Sequence, residues 1–150
     1  MSNKIFIALD TSSFERASKI VEIVESTKTN KLKIGYKVGL ELINAKYGRY
    51  FLGKIKNKIT FLDLKLNDIP NTCASTVKAI KDLKVNYLTI HISSGLESLR
   101  AVKKVSGKIK IVGVTTLTSL DNKNLKEIGY NKSVKNLIIH QAKLAKKTKL

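Results

Sequence analysis

Cysteine, proline and acid are all scarce in this sequence, and each scarcity closes off a class of protein. Cys73 is the single cysteine, so an intramolecular disulfide and a cysteine metal cluster are both excluded. Its flanks, Thr72 and Ala74 to Ala79, read as the first turns of a helix, which suits a small buried side chain. A cysteine nucleophile wants a paired histidine, and no local pattern ties His91 or His140 to it. Pro70 is the lone proline, and no Pro-rich, Gly-rich or low-complexity stretch marks a linker. No apolar run approaches the roughly 20 residues that span a bilayer. Met1 to Asp10 lead straight into an apolar strand pattern, without the charged start, long apolar core and small-residue cleavage site of a signal peptide. The expectation is one domain over residues 1–150, cytoplasmic, with no membrane partner.

Acidic residues are outnumbered 29 to 11 by lysine and arginine, for a net charge of +18. Such a balance suits a phosphate-bearing ligand, nucleic acid or an anionic surface. Its distribution decides among these. Basic residues fall 9, 8 and 12 in successive thirds of the chain, and the most basic third has one aromatic, Tyr130, to stack against bases. The lysines sit at helical solvent-face spacings instead of in a stripe. A dedicated nucleic-acid surface is therefore not expected, and a basic nucleic-acid-binding module stays only as a remote alternative.

What the sequence does have is 43% apolar residues, enough for a sizeable core. They recur in five short runs, Ile5 to Leu9, Leu32 to Val38, Ile59 to Leu66, Tyr87 to Ile92 and Ile109 to Leu117, each reading as a strand. Helical patterns lie between or after them, near Phe14 to Ser26, Leu40 to Ile55, Asn71 to Leu83, Leu96 to Val105 and Val134 to Lys147. Ser12 and Glu15 have the spacing of a capping box. Strands alternating with helices imply parallel βα units and an α/β fold.

Period-two alternation separates two faces of each strand. Ile5, Ile7 and Leu9 oppose Phe6, Ala8 and Asp10. Ile34, Tyr36 and Val38 oppose Lys33, Gly35 and Lys37, and Leu62, Leu64 and Leu66 oppose Phe61, Asp63 and Lys65. Charge thus gathers on one face near the C-terminal strand ends. In a parallel barrel the apolar face packs on the outer helices and the other face lines the mouth where catalysis occurs. Asp10, Lys37, Asp63, Lys65 and Asp68 are expected to converge there. An Asp-x-Lys-x-x-Asp pattern alone also fits a surface ion pair; its place at a strand end followed by Ile69-Pro70-Asn71-Thr72, a turn with Asn71 or Thr72 as helix cap, points to a site.

The segment Phe61-Leu62-Asp63-Leu64-Lys65-Leu66-Asn67-Asp68-Ile69-Pro70-Asn71-Thr72 resembles the signature of orotidine 5′-phosphate decarboxylases. Three more segments agree in order and spacing: Ile5 to Asp10, Tyr36 to Glu41, and Val114 to Ser119. The resemblance covers essentially all 150 residues. It implies a (βα)8 barrel fold, represented here by about the first five βα units. It also implies conversion of orotidine 5′-monophosphate to UMP and carbon dioxide, the last step of UMP biosynthesis, without metal or organic cofactor.

Residue by residue, Lys37, Asp63, Lys65 and Asp68 match the family's alternating charged network. Lys65 matches the proton donor, and Asp68 the aspartate that reaches a neighbouring subunit. Asp10 and Lys37 match contacts to the ribose hydroxyls, and Thr118 and Ser119 match the pyrimidine-contacting loop. Ile69 and Thr72 lie in the shared segment of a homodimer. Asn67 stands where the family commonly has histidine. His91, at the end of strand four, also fits the family pattern, with a core or supporting histidine the favoured reading over a catalytic one, and His140 reads as incidental.

Sugar-phosphate decarboxylases and aldolases of the same superfamily also carry Asp-x-Lys-x-x-Asp, with a strand-two glutamate that helps hold magnesium. Here that strand offers Lys37, and Asp68 precedes Ile-Pro-Asn-Thr in place of a small, glycine-containing turn. A (βα)8 barrel takes about 250 residues and eight strands, with phosphate bound by the loops after strands seven and eight. The expectation is that the C-terminal units, with the family's phosphate-gripping glutamine and arginine, are absent from these 150 residues. An inactive truncated fragment of the enzyme is the companion reading.

Overall fold

The computed structural model describes residues 4–27 and 32–150, so the lead-in read at Met1 to Asn3 lies outside the described residues. The chain divides into two compact units, Met1–Leu64 with Ile80–Leu88, and Lys65–Ala79 with Thr89–Leu150.

The first unit holds β1 (Lys4–Ala8), α1 (Phe14–Thr27), β2 (Lys33–Gly39), α2 (Leu40–Asn44), α3 (Gly48–Lys54), most of β3 (Ile59–Leu66) and the start of β4 (Tyr87–His91). The strands follow chain order, β1 beside β2 beside β3 beside β4. β1–β2 and β2–β3 are parallel, and the register sets Ala8 against Lys37 and Gly39 against Asp63. One strand face is apolar as alternation requires, with Tyr36, Val38 and Leu62 fully buried.

The opposite face is aromatic at its start. Phe6, Phe61 and Tyr87 pack with ring centroids 5.4–6.0 Å apart. Gly35 makes room for this cluster, since a Cβ there would fall 2.6 Å from the Phe6 ring and 2.8 Å from the Ile59 carbonyl.

Three helix expectations are corrected. The helix read over Leu40 to Ile55 is two helices. Asn44 turns its side-chain amide back onto the Leu40 carbonyl at 2.8 Å, Ala45 is extended, and the chain folds back so tightly that a Cβ on Gly48 would sit 2.2 Å from the Leu42 carbonyl oxygen. The cap of α1 is Ser13 in place of Ser12: its Oγ accepts the Arg16 N–H at 3.1 Å and donates to Glu15 at 2.9 Å. The helix read as Asn71 to Leu83 stops at Ala79, and residues Lys81–Leu83 form a 3-10 turn closed by Lys84 in the left-handed region.

The second unit holds α4 (Pro70–Ala79), the end of β4, a 3-10 turn (Ile92–Ser94), α5 (Gly95–Val105), β5 (Lys110–Val114), α6 (Asn122–Glu127) and α7 (Val134–Lys147). β5 lies beside β4, and α4 packs on α5. Pro70 is the first helical residue of α4, where a missing N–H costs nothing. Asn71 and Thr72 therefore lie inside the helix and do not cap it. β5 ends at Val114, short of Leu117. The short helix α6 was not foreseen. It opens on a reciprocal cap in which Asp121 accepts from the Asn124 N–H at 2.8 Å and Asn124 accepts from the Asp121 N–H at 3.2 Å, a capping box written with Asn where Glu or Gln is usual.

Candidate active site

In the first unit the strand ends bring three predicted site residues together. The Lys37 ammonium lies 3.0 Å from Asp10 Oδ1 and 3.8 Å from Asp63 Oδ2. Alternation on β2 and β3 puts both side chains on the face away from Tyr36 and Leu62, and the Leu9 N–H bond to the Lys37 carbonyl, 2.9 Å, holds the end of β1 alongside. Burial is graded across the three: Asp10 is 66% exposed, Lys37 26% and Asp63 12%. A lysine between two carboxylates is satisfied by both, and the deeper carboxylate sits where water screens it least.

The second unit holds Lys65 and Asp68, and holds them by the backbone. Lys65 has φ +50°, a left-handed conformation that costs a non-glycine residue roughly 1–2 kcal/mol. Its N–H donates to Thr89 Oγ1 at 2.8 Å. The Asp68 carbonyl accepts from Ser98 Oγ at 2.9 Å and from Cys73 Sγ at 3.3 Å, while Asp68 Oδ1 accepts the Ile69 N–H at 2.7 Å. Burial pushes the Cys73 thiol pKa up, which keeps Sγ protonated and able to donate; the buried reading of Cys73 is correct.

Asn67, Asp68, Ile69 and Pro70 line one wall of an open groove of about 640 Å³ whose other wall is Ser94 to Ser98. Ile69 is 65% exposed beside it, and Thr72 is exposed one turn on. A smaller cavity of about 270 Å³ is lined by His91, Asn67, Ser93, Thr116 and Gln141 among others, with Thr116 Oγ1 bonded to Gln141 at 3.2 Å. Thr118 and Ser119 lie in an exposed turn closed by the Leu120 N–H on the Leu117 carbonyl, 3.1 Å. No hydrogen bond or ion pair among the described residues joins either of them to Lys65 or Asp68. Among the described residues no group of three His, Cys, Asp or Glu is placed to hold a metal ion, and no helix is long and apolar enough to cross a membrane.

Sequence reasoning missed Thr89 and Ser98. Each is a small hydroxyl residue in an apolar element, buried there, and a hydroxyl interrupting a buried strand or helix face is the one signal that marks such positions.

The model of the family described as "Orotidine 5'-phosphate decarboxylase / HUMPS family" matches residues 3–150. The chain belongs to this family. It is 42% identical over 153 residues to an "Orotidine 5'-phosphate decarboxylase" of Wolbachia sp. subsp. Brugia malayi, covering 99% of this chain and 65% of that relative. A protein of the same name from Wolbachia pipientis subsp. Culex pipiens is 44% identical, with 97% and 63% covered. The chain thus spans a little under two thirds of the length of these relatives.

The crystal structure of orotidine 5'-phosphate decarboxylase from Lactobacillus acidophilus superposes with a TM-score of 0.84 at 27% identity, over 98% of this chain and 68% of that one. The orotidine 5'-monophosphate decarboxylase of Methanocaldococcus jannaschii, complexed with inhibitor BMP, gives 0.76 at 27% identity, over 100% and 65%. The fold class read from the sequence is correct: parallel strands with alternating helices, five βα units of the (βα)8 family.

Proposed function

We propose that the protein to which this chain belongs decarboxylates orotidine 5′-monophosphate to UMP, with Lys37, Asp63, Lys65 and Asp68 as its catalytic residues. The observation that carries the reading is the Lys37 ammonium held between Asp10 and Asp63 at 3.0 and 3.8 Å, with Asp63 two residues before Lys65 on β3. The names of the relatives support the same reaction.

The chemistry follows from the charges. The bond between the pyrimidine ring and its carboxylate breaks, carbon dioxide leaves, and the electron pair stays on the ring carbon. The Lys65 ammonium stabilises that developing anion and then gives it a proton. Asp63 beside the substrate carboxylate raises the energy of the bound ground state, a repulsion that disappears with carbon dioxide. Two unit charges about 4 Å apart at an effective dielectric near 20 interact by roughly 4 kcal/mol, about three powers of ten in rate. Lys37 offsets part of that repulsion, so preorganised positive charge at Lys65 carries the larger share.

Asp10 and Lys37 serve the ribose hydroxyls, and Thr118 and Ser119 the pyrimidine; their exposure leaves both pairs accessible to a ligand. The reading includes a cytoplasmic homodimer in which Asp68, Ile69 and Thr72 act across the subunit interface, which the exposure of all three supports. No metal and no organic cofactor take part.

The test is turnover of orotidine 5′-monophosphate by the full-length protein and by its Lys65→Ala variant. The variant should lose activity by roughly a thousandfold or more while its circular dichroism and unfolding midpoint stay unchanged. Activity retained in Lys65→Ala rejects the assignment.

A further inference from the structure

We propose that Thr89 is a positioning residue for Lys65, its buried hydroxyl fixing the left-handed backbone from which the ammonium is presented. The inference rests on the reading of Lys65 as the proton donor.

Three non-glycine residues have positive φ among the described residues: Lys65, Lys84 and Lys149. Two need no special account. Lys84 closes a 3-10 turn, and Lys149 follows the end of α7, places where a left-handed residue ordinarily ends a helix. Lys65 instead lies inside the strand β3, where a left-handed residue breaks the pleat and re-aims the side chain that follows from it. Glycine would adopt this conformation freely, but glycine has no amine. A lysine can hold it only where the surroundings determine it.

The surroundings restrain that backbone at its N–H. The Lys65 N–H donates to Thr89 Oγ1 at 2.8 Å. Thr89 is 3% exposed on β4, next to fully buried Ile90, so its hydroxyl is a fixed acceptor and not a mobile surface group. Threonine is stiff at χ1, which adds to the precision with which the oxygen is placed. The bond spans 24 residues of sequence, tying two adjacent strands at the residue whose side chain must meet a single ring carbon. An ångström of misplacement at such a group costs about a hundredfold in rate.

The experiment compares Thr89→Val and Thr89→Ser in the full-length protein. Valine keeps the shape and removes the hydroxyl; serine keeps the hydroxyl. Thr89→Val should lower kcat roughly 10- to 100-fold with KM nearly unchanged, and Thr89→Ser should restore most of kcat. Amide hydrogen exchange at Lys65 should accelerate in Thr89→Val and remain slow in Thr89→Ser. Val102→Ala, which thins the core at α5, serves as the control: it should lower the unfolding midpoint and leave kcat in place. Thr89→Ala gives the same reading as Thr89→Val should the latter fail to fold.

If the unmodified protein does not decarboxylate orotidine 5′-monophosphate, the functional reading falls and this one with it. If the unmodified protein is active and Thr89→Val keeps its kcat, or Thr89→Ser loses as much as Thr89→Val, the positioning role alone is overturned.

Discussion

The first unit organises its charged residues through one another, and the second organises its charged residues through the main chain. Asp10, Lys37 and Asp63 are joined side chain to side chain. Lys65 and Asp68 are anchored at an N–H and a carbonyl, by Thr89 and Ser98. The difference has an energetic basis. An ion pair with one partner 66% exposed, as between Lys37 and Asp10, is worth ~1 kcal/mol or less to stability. Such a pair sets a local field without holding the fold together. Buried hydroxyls bonded to backbone atoms do the opposite, contributing rigidity and no net charge.

The largest effect that tests this contrast comes from the field. Lys37→Ala removes the cation that faces both carboxylates, and turnover of orotidine 5′-monophosphate should fall on the order of a hundredfold. The exposed Asp10 pair should account for ~1 kcal/mol or less of any change in its unfolding free energy; the rest should come from Asp63, whose buried carboxylate loses a cation where water screens it least. A steady-state assay beside urea unfolding checks both halves. A Lys37→Ala protein that unfolds far more easily while keeping its rate would invert the comparison.

This asymmetry also separates what was legible in the sequence from what was not. The face carrying Asp10, Lys37 and Asp63 was readable because strand side chains alternate with a period of two, and that rule depends on nothing outside the strand. The five strands and most helices were readable for the same local reason. Thr89 and Ser98 were not, since their partners lie 24 and 30 residues away in sequence. The left-handed turn of Lys65 left no trace either: Leu64 and Leu66 keep the strand pattern intact on both sides.

The break between α2 and α3 was hidden by an apolar periodicity that runs on through Leu40 to Ile55, and only the close approach of Gly48 to two carbonyls shows why the chain must turn. In α6 the signal was present in Asp121 and Asn124 but written in residues that more often mark turns.

A smaller effect tests the other half of the contrast. Ser98→Ala removes a donor from the Asp68 carbonyl and should cost about 1–2 kcal/mol of unfolding free energy. Because the Ser98 hydroxyl is buried and both groups are uncharged, that loss should be the same in low and high salt, whereas the part of the Lys37→Ala change that comes from the exposed Asp10 pair should shrink as salt screens it. Urea titrations at two ionic strengths compare the variants directly. Equal salt dependence for Ser98→Ala and Lys37→Ala would erase the distinction between the two modes.

The smallest effect probes whether the first unit's reliance on charge extends into its core. Tyr36 is fully buried, and its hydroxyl donates to Glu25 Oε1 at 2.8 Å, while Lys58 pairs with the other oxygen of Glu25. Burial first, and then the adjacent Glu25 carboxylate, raises the Tyr36 pKa far above the ordinary phenol value. The folded chain therefore binds this proton more tightly than the unfolded chain. Stability from this source is fully present below about pH 10, where the unfolded phenol ionises, and is lost progressively as pH rises above it toward the folded pKa. Tyr36→Phe removes the titrating group together with its hydrogen bond. At neutral pH it should cost about 0.5–1.5 kcal/mol, and between pH 9 and pH 11 its unfolding free energy should fall less steeply than that of the unmodified protein. Parallel slopes in urea titrations over that range would mean that Tyr36 ionises as readily in the folded chain as in water. The hydroxyl would then be anchored by neutral packing alone, and the rule that the first unit works through charge would end at its strand tips.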